Sequence, residues 1–121
     1  MSDNDEWVVE YYETEQRKSP VREFLEGQDD QTQARFIWAI EQLRIRNVSA
    51  REPLVKHLEG KLWELRRSSR GNIYRLLYFF FTGQKIVFLH GFQKKTQKTP
   101  RKEIEVALER MEDFVRREGG E

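Results

Sequence analysis

The sequence predicts an α+β domain in which helices pack on one face of a twisted antiparallel sheet. Three observations carry the prediction. Apolar residues recur at helical spacing in the first half of the chain, the period changes to two between Leu62 and Phe92, and a second helical stripe closes the sequence. The predicted order is β-α-α-β-β-β-α. Trp7–Tyr12 is an aromatic run after a polar start and predicts a first strand. Ser19-Pro20 supplies a helix N-cap followed by the residue best suited to the first helical position; Val21, Phe24 and Leu25 give that helix an apolar face, and Gly27 ends it. A second helix is predicted from Asp30 to Arg46, with Phe36, Ile37, Ile40 and Leu43 on one stripe and Ala34, Trp38 and Ile45 widening it. Pro53 blocks its continuation.

The second half is a predicted meander. Leu62–Arg67 alternates, Ser68–Asn72 turns on Gly71, Ile73–Phe81 is a long aromatic strand, Thr82-Gly83-Gln84 turns again, and Lys85–Phe92 is the third strand. Thr99-Pro100 repeats the cap-plus-proline start, and Ile104, Ala107, Leu108, Met111 and Phe114 line a last helix ending near Gly119. The expected open sheet face is the working face. A chain of 121 residues fits one domain, 1–121, and its three Trp, eight Phe and four Tyr can fill a core although 36% of its residues are charged.

Composition narrows the function. There is no cysteine, which fits a reducing cytoplasm and excludes thiolate chemistry. The acidic, polar Met1–Glu6 does not resemble a secretory leader, and the apolar runs are too short to span a membrane. His57 and His90 are far apart and lack a companion carboxylate cluster, so no metal or other cofactor is expected. The net charge of +1 conceals a segregation. The 38 residues between Glu64 and Glu103 contain ten Lys or Arg and no acidic residue. Like charges repel, so such a stretch is unfavourable for folding alone and useful for meeting a polyanion. A nucleic-acid-facing surface is the expectation.

Strand period then selects residues. Glu64 and Arg66 share one face of their strand and Trp63 and Leu65 the other; Arg75 shares its face with Leu77 and Phe79. Two readings stand for Arg75: a cross-strand ion pair with Glu64, or convergence with Arg66 on a phosphate, which a guanidinium can grip bidentately. Lys94, Lys95, Lys98, Arg101 and Lys102 lead into the last helix, where the helix dipole disfavours cations unless an anion binds. His57 follows Lys56, and a neutral imidazole there can act as a base. His90 is equally a sheet residue. Phe92 can stack on a base, whereas Tyr78 belongs to the core.

These residues carry a family resemblance. Lys56-His57-Leu58-Glu59-Gly60-Lys61-Leu62-Trp63-Glu64-Leu65-Arg66, with Gly71 and Tyr74-Arg75-Leu76-Leu77-Tyr78, resembles the RelE/HigB toxin superfamily. Leu89-His90-Gly91-Phe92-Gln93-Lys94-Lys95-Thr96-Gln97-Lys98-Thr99-Pro100 resembles its phage-derived HigB-like branch. The resemblance covers residues 54 to about 112 and implies the small RelE-like microbial RNase fold. It implies a toxin of a type II toxin–antitoxin pair, a ribosome-dependent and metal-free mRNA endoribonuclease. In such chemistry the ribose 2′-hydroxyl attacks the adjacent phosphate and leaves a 2′,3′-cyclic phosphate. The implied partners are the ribosome, mRNA and a cognate antitoxin, a helix-turn-helix HigA-like protein in this branch, and no membrane.

Mapped onto this chain, the resemblance makes Arg66 and Arg75 the phosphate clamp and Lys56 or His57 the base. Glu64 is an alternative base. Lys94 or Lys95 stabilises the transition state or protonates the leaving oxygen. Arg67, Arg70, Phe92, Lys98, Arg101 and Lys102 are the expected RNA-binding residues. Phe92 stands where several relatives carry Tyr or His, and it has no hydroxyl to transfer a proton. The competing expectations are a ParE-like inhibitor of DNA gyrase and a plain nucleic-acid-binding module.

Overall fold

A computed structural model describes residues 6–94 and 97–119. The chain runs β1 (Val8–Tyr11), α1 (Pro20–Glu26), α2 (Asp30–Arg46), β2 (Val55–Glu59), β3 (Leu62–Ser69), β4 (Asn72–Phe81), β5 (Lys85–Lys94) and α3 (Arg101–Arg117), with a short 3-10 turn, Asn47–Ser49, after α2. The Ser19 hydroxyl caps α1 by accepting from the Arg22 amide, and Asp29 caps α2 by accepting from the Thr32 amide at 2.8 Å.

The sheet has five strands in the order β1-β5-β4-β3-β2. Three features depart from the sequence reading. β2 is an additional edge strand. Its Lys56 and His57 are exposed, so it has no alternating apolar signal and is held by backbone pairing to β3. β1 runs parallel to β5, because the α1 and α2 segment carries the chain back across the sheet; the sheet is mixed rather than wholly antiparallel. Helices cover both faces. Val21, Phe36, Ala39 and Leu43 of α1 and α2 pack on one face with Tyr74, Leu76, Tyr78 and Phe88, while Ala107 and Phe114 of α3 pack on the other with Leu77, Phe79, Val87 and Leu89. β4 is apolar on both sides, so both must be taken out of water. The stripe of α2 is also narrower than expected. Ile37, Trp38 and Ile45 are exposed, and Phe36, Ala39 and Leu43 carry the packing.

Two local choices aim the functional end. Arg70 and Gly71 both have positive φ, 54° and 82°, and make a two-residue turn that sets Arg66 directly opposite Arg75. Gly91 lies under α1: a Cβ there would come 2.7 Å from the Phe24 ring and 2.8 Å from Leu76, so its absence lets α1 seat on β5.

Candidate functional site

β3 and β4 together decide where the cations go. Lys56 pairs in register with Glu64, Glu64 with Leu77, and Arg66 with Arg75, so strand parity places Lys56, Glu64, Arg66 and Arg75 on the α3 face of the sheet. α3 covers only the part of this face around Leu77 and Phe79. The part toward the β3–β4 turn carries Glu64, Arg66, Arg75 and Lys94, with Ile73 and Phe92 beside them.

Glu64 is the centre of that part. It is fully buried and both of its oxygens are occupied. Oε2 accepts from Arg75 Nη1 and from Arg66 Nε at 3.2 Å, and Oε1 accepts from the Thr99 hydroxyl at 2.5 Å. A carboxylate removed from water needs such partners, and two guanidiniums facing each other need an anion between them. Both sequence readings of Arg75 are thereby answered on one point: the Arg75–Glu64 pair exists, and Arg66 joins it. Arg75 is 3% exposed and Arg66 keeps 24% of its side chain in solvent. Arg66 is the member of the pair that a ligand can reach. Burial lowers the Arg75 pKa from its usual value.

Lys94 ends β5 beside this group. Its Nζ donates to the Gln97 carbonyl and, at 3.4 Å, to the Thr99 hydroxyl. Burial, followed by repulsion from Arg75, Arg66 and Lys56, lowers its pKa to about 8. Thr99 therefore serves Glu64 and Lys94 rather than the helix behind it. α3 begins after Pro100 with no side-chain cap, in contrast to the expected threonine cap, because the cap position falls on Pro100, whose side chain has no acceptor, and Thr99 lies one residue before it.

The other expected site residues are distributed as follows. His57 lies on the opposite face from Lys56; its ring nitrogen is 2.8 Å from the Gly60 carbonyl and its ring packs against Trp63. It does not join the cluster. Glu64, the alternative base, is fully buried and already accepts from Arg66, Arg75 and Thr99. Arg67 faces α2, with its guanidinium over Trp38. Arg70 pairs with Asp29 and Gln31 at the tip of the β3–β4 turn. Arg101 pairs with Glu59 and Glu105. Lys98 and Lys102 are exposed beside the start of α3. Phe92 is only 8% exposed and stacks on His90, so it is core rather than a free base-stacking platform. His90 is held by Glu103 and Arg110, and burial lowers its pKa. Lys95 lies outside the described residues. Thr99 and Gln97 also belong to the group, Thr99 through Glu64 and Lys94 and Gln97 through Lys94; a Thr before Pro reads in the sequence as a helix cap, which hides this role.

Among the described residues no group of three or more His, Cys, Asp or Glu could hold a metal ion, and no helix is long and apolar enough to cross a membrane. The family model "Phage derived protein Gp49-like" matches residues 23–112. Two proteins named "Probable endoribonuclease HigB1", from Mycobacterium tuberculosis strains CDC 1551 / Oshkosh and ATCC 25618 / H37Rv, are each 34% identical to the chain over 87 residues. The match covers 72% of this chain and 67% of each relative.

Proposed function

The chain belongs to the phage-derived Gp49-like family and is HigB-like, and from that premise we propose that it is the endoribonuclease toxin of a type II toxin–antitoxin pair. The observation that carries the reading is the meeting of four cations, Lys56, Arg66, Arg75 and Lys94, around one buried carboxylate on an open end of the sheet. One carboxylate cannot neutralise four cations, so the site keeps an excess of fixed positive charge. That excess suits a phosphate that gains negative charge in its transition state.

The proposed reaction needs no metal. The 2′-hydroxyl oxygen bonds to the adjacent phosphorus as the bond to the 5′-oxygen breaks, leaving a 2′,3′-cyclic phosphate and a 5′-hydroxyl. Arg66 holds the phosphate oxygens. Glu64 and Arg75, too buried to touch substrate, position Arg66. Lys94 protonates the departing 5′-oxygen. With a pKa of about 8 it is charged at neutral pH yet gives up its proton more readily than an ordinary lysine. Lys56, acting as the free amine, accepts the 2′-hydroxyl proton and becomes the ammonium; it stands on the site face and His57 does not. Lys98 and Lys102 add long-range attraction for RNA. The substrate is mRNA on the ribosome, the compartment is the cytoplasm, and a cognate antitoxin of the helix-turn-helix HigA type holds the toxin in check.

The test is a purified translation system with end-group analysis of the message. The expected result is cutting that requires ribosomes, survives EDTA and ends in cyclic phosphate. Uncut message with inhibited gyrase supercoiling would move the assignment to a gyrase-directed toxin.

A further inference from the structure

Beside the Glu64 cluster, between α2 and the end of β3 that runs past β2, lies a groove of about 590 Å³. Five of its twelve lining residues are arginines and none is acidic. Two of the five, Arg66 and Arg75, belong to the cluster, so the groove opens onto it. Arg35, Arg46 and Arg67 line the rest, and among the described residues none of these three has a carboxylate within ion-pair distance. Trp38 also lines it. This indole is 51% exposed, with the Arg67 guanidinium 4.9 Å from its ring centroid. The Arg67 Nε is buried with no hydrogen-bond partner.

A large aromatic side chain left half in water, backed by a guanidinium and flanked by arginines without a carboxylate partner, has the chemistry of a single-strand nucleic-acid platform. Base stacking on the ring and charge neutralisation along the backbone are its two ingredients. An acidic protein partner would satisfy the arginines but would leave the stacked Trp38–Arg67 pair without a planar group to receive. We propose that this groove binds the nucleotide adjoining the scissile phosphate, with its base on Trp38 and its backbone against Arg46 and Arg67. The proposal rests on the endoribonuclease reading for the position of the scissile bond. It adds Trp38, Arg35 and Arg46 of α2 to the substrate-binding surface.

The test uses the full-length toxin and a short fluorescent 2′-O-methyl oligoribonucleotide, which binds but cannot be cut by 2′-hydroxyl attack. Trp38→Ala is expected to weaken binding about 5- to 150-fold, the range for one lost stacking contact, and Trp38→Phe to recover most of it. Arg46→Gln and Arg67→Gln are each expected to reduce the salt dependence of binding by about 0.7 in log–log slope. Circular dichroism checks that each variant is folded. Binding by Trp38→Ala and both arginine variants equal to wild type overturns the proposal. So does loss of antitoxin binding with oligonucleotide binding intact, which would assign the groove to the protein partner. A wild type that binds the oligonucleotide through Trp38 but cuts no translated mRNA contradicts the nuclease reading and supports the groove as a strand-binding site.

Discussion

Arg66, Arg75 and Lys94 turn inward around Glu64, whereas Arg70 and Arg101 stay at the surface, each paired with a carboxylate from outside the acid-free stretch. All five come from the same run of sequence. The inward set shares one carboxylate among several cations in a place with little water, so charge is concentrated and fixed. The outward set is neutralised pair by pair in solvent, where side-chain entropy and screening cancel most of the attraction. Cation count therefore does not locate the site. Strand parity and the buried Glu64 mark the candidate site.

The largest effect is expected at Glu64. Glu64→Ala leaves Arg75 buried without its counterion and is expected to cost about 3–5 kcal/mol of stability, measured by chemical denaturation. A loss no larger than that of a surface pair would show that Arg75 is not buried as described. Thr99→Val removes one hydrogen bond to the same carboxylate, with an expected cost of about 1.5–3 kcal/mol. Thr99→Ser keeps the hydroxyl and should restore most of the stability lost in Thr99→Val.

Lys94 sharpens the comparison through pH. In the unfolded chain its amine takes up a proton below about 10.5, and in the folded state only below about 8. Its contribution to stability is therefore greatest above 10.5, is lost as the pH falls to about 8, and is level below that. The stability difference between wild type and Lys94→Met should follow that window, and a flat difference would contradict the burial of its Nζ. As a proton donor it also predicts a cleavage rate that declines as pH rises through about 8. The smallest effect belongs to the outward set: Arg101→Ala should change stability by no more than about 1 kcal/mol.

Much of this was readable from the residues. The cap at Ser19, the stop at Gly27, the two-residue period of β3 and β4 and the stripe of α3 are local signals, and local signals survive into the fold. The shared face of Glu64 and Arg66 followed from parity alone. What was not readable depends on contacts distant in sequence. β2 has no apolar alternation and exists because β3 offers an edge. The parallel pairing of β1 with β5 is a matter of chain path. Trp38 sits at a spacing that widens an apolar stripe, and only the position of α2 over β3 turns it outward. His57 neighbours Lys56 in sequence, and one step along a strand puts it on the other side of the sheet. Thr99 before Pro100 reads as a cap, and the bond from its hydroxyl to Glu64, distant in sequence, leaves no local signal.

The most direct test of the central claim sets Arg66→Ala beside Arg101→Ala in a purified translation system, with both proteins shown to be folded. Both substitutions remove one arginine from the basic stretch. The account predicts that Arg66→Ala slows mRNA cleavage by about 100-fold or more while Arg101→Ala stays within a few-fold of wild type. Equal losses in the two variants would contradict it, because the site would then depend on the number of cations and not on their assembly around Glu64.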